Sequence, residues 1–199
     1  MIYLRKFDYG TAARGERKKN ETLNGRMLLR DAVFNEYGVS TDNLDIENGE
    51  HGKPYFVQRR DIHFNISHSG CYVAVAVGEY PLGVDVQTVR EVKQSLIEKL
   101  CDDNEKRFVE QSGDKDKAFI TLWALKESYI KAIGTGMSYP MNRIHFDMKN
   151  FDTEAFGDFS DCDGYYYVRA FEDFVLAVCV LGDISDNECE KWRVIKTLT

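Results

Sequence analysis

The most specific chemical signal in the chain comes from two acids and a lysine. Glu127 and Lys131 stand one helical turn apart in Trp123-Ala124-Leu125-Lys126-Glu127-Ser128-Tyr129-Ile130-Lys131. They share a side with Ile120, Trp123 and Ala124, opposite the apolar stripe Ala118, Leu122, Leu125, Tyr129, Ala132 and Ile133. On a solvated helix such a Glu–Lys pair contributes only ~0.3 kcal/mol and is commonplace. Inside a second apolar face the same charges are costly to bury unless a ligand or metal completes their coordination, so both readings stand. Asp85, in Gly83-Val84-Asp85-Val86-Gln87, is open in the same way: a carboxylate in water at a strand end, or a partner of Glu127 on one divalent cation. Asp85 and Gln87, two apart, point to one side of a strand. Hard oxygen ligands of this kind suit Mg²⁺, which commonly bridges protein carboxylates to phosphates.

Two further sites could face an anion. His68 lies between two serines in Ser67-His68-Ser69-Gly70, which the spacing predicts to be a turn offering hydroxyl, imidazole and backbone donors. Lys53 precedes Pro54, whose ring fixes its own φ and biases the lysine toward extended backbone. Each reads equally as an ordinary turn or loop residue. There is no GxxxxGK[ST], and Gly134-Thr135-Gly136 lacks the third glycine of a dinucleotide fingerprint; HExxH, GxSxG and an EF-hand loop are also missing.

The elements that must carry these residues follow from the apolar pattern. Leu23, Met27, Leu28, Ala32, Val33 and Phe34 predict an amphipathic helix over Thr22 to Tyr37, stopped by Gly38, with Arg26 and Arg30 outside the stripe. Residues 62–66, 71–77 and 83–87 predict strands; in the second of these, Ala74 and Ala76 are small enough to let a helix pack closely. Val92 to Ser112 predicts one or two helices broken near Asp102, and Asp116 to Ile133 a strong helix ended by Gly134 and Gly136. Arg143 to Asp147, Tyr165 to Phe171 and Phe174 to Leu181 predict strands, the last two joined at Glu172-Asp173. Mixed without strict alternation, these predict an α+β fold in a single domain over residues 1–199.

With 33 acidic against 26 basic residues the chain is a poor nucleic-acid binder. Its apolar and aromatic content excludes intrinsic disorder. No segment reads as a signal peptide or a membrane span, which predicts a soluble, cytoplasmic protein. Cys71, Cys101, Cys162, Cys179 and Cys189 form no CxxC or zinc spacing and are expected as reduced thiols.

The ordered set Gly52-Lys53-Pro54, Phe64-Asn65-Ile66-Ser67-His68-Ser69, Gly83-Val84-Asp85-Val86, Trp123 to Lys131 and Gly134-Thr135-Gly136 resembles a 4′-phosphopantetheinyl transferase of the surfactin-synthetase-activating (Sfp-like) type. The resemblance spans roughly residues 52 to 136. It implies transfer of the phosphopantetheine arm of coenzyme A to a serine of an acyl, peptidyl or aryl carrier protein, releasing 3′,5′-ADP with Mg²⁺ as cofactor. It further implies a fold of two similar pseudo-twofold halves, near 1–85 and 86–199, with the coenzyme in the cleft between them and the chain acting as a monomer.

Carried onto this sequence, the resemblance makes Asp85 and Glu127 metal ligands, with Glu127 also helping to deprotonate the attacking serine. It makes Lys131 the lysine facing the pyrophosphate, and Ser67 and His68 coenzyme-binding residues. Lys53, beside Pro54, becomes the basic group near the 3′-phosphate and adenine, and Arg26 a looser match at the same end. Gln87 departs from the family pattern, which usually has glutamate there; the site loses one negative charge, and weaker metal affinity is expected. Two other readings are a coenzyme A or carrier-binding module that has lost turnover, and a Mg²⁺-dependent phosphohydrolase using Asp85 and Glu127. A carrier acidic around its serine is expected to dock near Lys106, Arg107, Lys115 and Lys117. Arg14, Arg17, Lys18 and Lys19 either reach the 3′-phosphate or form a solvated helix end.

Overall fold

The computed structural model of the chain describes residues 1–10, 13–148, 156–157 and 160–198. In chain order the elements are β1 (Ile2–Lys6), α1 (Arg14–Tyr37), β2 (Ile46–Asn48), β3 (Pro54–Phe56), β4 (His63–Ser69), β5 (Tyr72–Gly78), β6 (Leu82–Thr88), α2 (Gln94–Leu100), α3 (Asp103–Gln111) and α4 (Lys115–Ile133). They continue as β7 (Phe156–Gly157), β8 (Tyr165–Ala170), β9 (Phe174–Val180), α5 (Asp186–Trp192) and β10 (Ile195–Thr197). One four-stranded sheet has the order β10-β1-β5-β4, another β6-β9-β8-β7, and β2 and β3 pair apart from both. The fold is α+β, as expected.

Three clusters of buried side chains divide the core into layers. Leu28, Leu29, Ala32 and Val33 of α1 meet Tyr3, Val73, Val75 and Val77 on one face of the first sheet. The other face of that sheet, with Ile2, Leu4, Tyr72, Ala74 and Ala76, packs on Leu82, Val84, Val86, Leu176 and Val178 of the second sheet. Helix α4 then covers the far side of the second sheet against Val175, Ala177 and Cys179. Ala74 and Ala76 therefore make room for a facing strand rather than for a helix, because α1 lies on the valine face.

Helix α1 begins at Arg14, well before Thr22, and its phase differs from the expected stripe. Leu23, Met27 and Phe34 are exposed. The contact face centres instead on Gly25, Leu28, Leu29, Ala32 and Val33, and a Cβ at Gly25 would come within 3.1 Å of Ile66 Cγ2. A glycine that lets the helix approach a sheet has no hydropathy of its own and shifts the stripe unseen. The Val92–Ser112 region does divide at Asp102, which caps α3 through the N–H groups of Asn104 and Glu105. Gly134 ends α4 in the left-handed region, with φ of 72°.

Two strand expectations fail. Residues 67–69 form the end of β4 and not a turn, which falls at Gly70 with φ of 54°. Residues 143–147 form no strand beyond a single bridge between Phe146 and Ser160, because the Phe146 N–H donates to Glu105 Oε1 at 3.2 Å instead of to a neighbouring strand. Strands β1 and β10, unforeseen, pair parallel at the edge of the first sheet. The cysteines are free, and among the described residues no helix is long and apolar enough to cross a membrane.

Candidate active site

The two sheets meet edge to edge, at β4 and β6, without backbone pairing. Alternate side chains of β4 take its place: Val84 N–H donates to Asn65 Oδ1 at 2.9 Å, Val86 N–H to Ser67 Oγ at 3.2 Å and Thr88 N–H to Ser69 Oγ at 3.0 Å. The polar alternation Asn65-x-Ser67-x-Ser69 thus satisfies an open strand edge that would otherwise bury unpaired donors. Asn65→Ala, which orphans the buried Val84 N–H, is expected to cost about 1–3 kcal/mol. Urea unfolding of this variant beside Ser69→Ala, which lies nearer the strand end, should show the smaller loss for the serine.

On the other side, β6 lies directly against α4. A Cβ at Gly83 would stand 2.1 Å from the Ser128 carbonyl oxygen and 2.4 Å from the Ala132 nitrogen, so only glycine permits this approach. Two residues further along the strand, Asp85 is 1% exposed. Its Oδ1 accepts from Lys131 Nζ at 2.5 Å and from Ser67 Oγ at 2.9 Å, and its Oδ2 accepts from Gln87 Nε2 at 2.9 Å. Lys131 also donates to Ser67 Oγ at 2.9 Å and to the Val84 carbonyl at 3.2 Å. Its three protons are all engaged, and Lys131 pairs between α4 and β6 rather than along the helix with Glu127.

Glu127 sits one turn before Lys131 and is half-buried. Burial pushes its carboxyl above the ordinary carboxylate value, the charge of Asp85 pushes it further, and Lys131 pulls it back. Asp85, Gln87, Glu127, Lys131 and Ser67 thus form one electrostatic unit across the junction. With both acids ionised and Lys131 charged, the unit keeps one net negative charge among hard oxygen donors. That is a fit for a divalent cation, whose charge would relieve the repulsion that raises Glu127.

Of the remaining expected residues, Ser67 and Lys53 pack at the junction, whereas His68 and Arg26 lie on β4 and α1. The hydroxyl of Ser67, 4% exposed as a residue, has its proton and both acceptor positions taken within the protein, by Asp85, the Val86 N–H and Lys131. Lys53 runs under the junction, donating to the Leu82 carbonyl at 2.9 Å and the Ala132 carbonyl at 2.7 Å; burial lowers its ammonium to about 8. Pro54 starts β3 beside it. His68 is half exposed on the α1 side of β4, with Nδ1 3.4 Å from Glu21 Oε2. Arg26 is exposed and lines, with Lys18, Lys19, Thr22 and Leu23, an open groove of about 510 Å³ along α1.

Sequence reasoning missed two features. One is the Asn65 ladder. The other is a buried pair between Lys126 and Glu105, 2.7 Å apart and at most 1% exposed, in which Lys126 also donates to the Leu100 carbonyl. Asp102, Glu105 and His145 bring ligand-type atoms within 4.8 Å of one another there. That cluster has an ordinary structural explanation: the two carboxylates form the cap of α3, and an ammonium already neutralises Glu105.

A family model described as "4′-phosphopantetheinyl transferase superfamily" matches residues 81–179, and one described as "4′-phosphopantetheinyl transferase, N-terminal" matches residues 13–79. The two matches adjoin where β5 passes to β6. The 4′-phosphopantetheinyl transferase gsp of Aneurinibacillus migulanus is 34% identical over 134 residues, covering 66% of this chain and 56% of that protein. A 4′-phosphopantetheinyl transferase of Bacillus subtilis is 32% identical over 168 residues, covering 80% of this chain and 73% of that protein. The 4′-phosphopantetheinyl transferase Sfp of Bacillus subtilis (strain 168) is 28% identical over 166 residues, with the same two coverages of 80% and 73%. The matched stretch is thus a little over half of the first relative and nearly three quarters of the other two. With two abutting family matches and a relative 32% identical over 73% of its length, the chain belongs to the 4′-phosphopantetheinyl transferase superfamily, on its Sfp-like branch.

Proposed function

We propose that the chain, acting as a monomer, transfers 4′-phosphopantetheine from coenzyme A to a serine of an acyl or peptidyl carrier protein with Mg²⁺. The observation that carries this reading is the junction itself, where Asp85, Gln87 and Lys131 from two elements share one hydrogen-bonded unit beside Glu127. In the transfer, a bond forms between the serine oxygen and the β-phosphorus, the bond from that phosphorus to the 3′,5′-ADP oxygen breaks, and the serine proton leaves. Glu127, beside Asp85 and Lys131, takes that proton. Lys131 supplies positive charge toward the diphosphate, and Asp85 with Ser67 holds it in place. Asp85, Glu127 and the amide oxygen of Gln87 would hold Mg²⁺, which supplies charge neutralisation at the phosphates. His68 and the cations of the α1 groove bind the 3′-phosphate end, with Lys53 fixing the junction behind them.

For the carrier, the groove between α2 and α4 of about 410 Å³ sets Leu96, Phe119 and Trp123 beside Arg90, Lys93 and Lys99, three cations against the single acid Glu91. Of the lysines and arginine expected to dock it, Lys106 pairs with Asp103 and Arg107 bonds to Asn104. The groove is therefore the better seat for an acidic partner. Incubation with coenzyme A, Mg²⁺ and an apo carrier should add one phosphopantetheine to the carrier mass. Coenzyme binding without that gain would leave a binding module, and coenzyme breakdown without a carrier a phosphohydrolase. Gln87→Glu should restore a ligand charge and tighten Mg²⁺ about tenfold, read calorimetrically in the presence of coenzyme A; unchanged affinity would place Gln87 outside the metal site.

A further inference from the structure

We propose that Glu21 is a positioning residue that orients the His68 imidazole toward the bound coenzyme; the idea rests on the reading of His68 as a coenzyme contact. The placement follows from matched spacings. Ile66 lies against Gly25, and stepping back four residues on α1 reaches Glu21 while stepping on two residues along β4 reaches His68. Four helical residues rise about 6 Å and two strand residues about 6.6 Å, so helix and strand keep their contact in step. Glu21 is largely buried, its side chain 22% exposed, and its Oε2 stands 3.4 Å from His68 Nδ1. The other carboxylate oxygen accepts the Tyr9 hydroxyl at 2.6 Å. Tyr9 is itself braced, edge-on to Phe7 with ring centroids 4.9 Å apart and with its hydroxyl 2.5 Å from the Gly70 carbonyl.

Glu21 therefore ties together the chain after β1, helix α1 and the end of β4. The two nitrogens of an imidazole lie on opposite edges of the ring. With Nδ1 held at the carboxylate, Nε2 is turned away from Glu21. Glu21 lies next along the helix to groove-lining Thr22, where a bare carboxylate would repel a phosphate. Facing the imidazole and the phenol, it instead fixes a ring whose outward Nε2 edge donates to that phosphate when the imidazole carries both protons.

The test is a double-mutant cycle on coenzyme A affinity, measured by calorimetry without a carrier. His68→Ala is expected to weaken binding roughly 20-fold and Glu21→Gln, which keeps the shape, about 5-fold. The double variant should bind like His68→Ala alone. Tyr9→Phe, which leaves the Glu21 charge but loosens it, should fall between wild type and Glu21→Gln, and its loss should likewise vanish in the His68→Ala background. If Glu21→Gln costs the same factor with or without the imidazole, or costs nothing, the positioning role is wrong while His68 keeps its assignment. If His68→Ala binds coenzyme A like wild type, the coenzyme reading of His68 falls and the role of Glu21 falls with it.

Discussion

Asp85→Asn is expected to reduce phosphopantetheine transfer about a thousandfold while the chain stays folded. The substitution keeps the shape of a side chain that is 1% exposed and retains an oxygen for Lys131 and Ser67. What it removes is charge, and the loss acts in three places. Lys131 loses the anion that holds its ammonium at the junction. The cation site loses one of its two carboxylates. Glu127, whose carboxyl is raised partly by the Asp85 charge, moves back toward the ordinary value and becomes a weaker base. The new amide nitrogen also faces Gln87 Nε2, donor against donor, so Gln87 must reorient. Carrier mass followed against time gives the rate, and circular dichroism the fold. A loss smaller than tenfold in a folded variant would mean that the chemistry lies elsewhere.

How far this centre could be read in advance depends on the range of each interaction. Alternation along β6 places Asp85 and Gln87 on one side, and helical spacing places Glu127 and Lys131 on one face; both are local and both hold. The partner of Lys131 is not local. It lies 46 residues away on a strand that only Gly83 allows close enough. In Ser67-His68-Ser69, turn-forming residue types outweighed an alternation that in fact continues the strand. Those serines are tolerated because β6 presents an open edge to them, which no property of residues 67–69 reveals. On α1 the apolar residues spread over a wider arc than the sheet covers, so Leu23, Met27 and Phe34 remain exposed where hydropathy alone would bury them. What was legible beyond spacing came from the family resemblance of the ordered motifs, which named the acids but not the contacts that aim them.

The Lys126–Glu105 pair gave no signal at all, and it yields the largest expected stability effect. Lys126→Met should cost about 3–5 kcal/mol, because it strands a carboxylate that is fully buried. The N–H groups of Asp102 and Phe146 still reach Glu105, at 3.0 and 3.2 Å, but neither carries a charge. Burial already raises the Glu105 carboxyl, and Lys126 is the chief influence holding it down, so removing the lysine raises it further. The sign for pH follows. A glutamate whose folded value lies above its unfolded one binds more protons when folded, so stability falls as pH rises through that window. The variant should therefore recover part of its loss as pH is lowered from neutrality toward the unfolded value, with the wild type gaining less. Glu105→Gln combined with Lys126→Met removes both charges and should regain most of the lost stability. Urea midpoints at several pH values, with unchanged slopes, measure the wild type and both variants. A loss below about 1 kcal/mol for Lys126→Met would show that water reaches the pair. Because Lys126 precedes Glu127 in α4 and anchors that helix to α3, transfer by the variant should decline with its folded fraction, while the folded molecules keep the wild-type dependence on Mg²⁺.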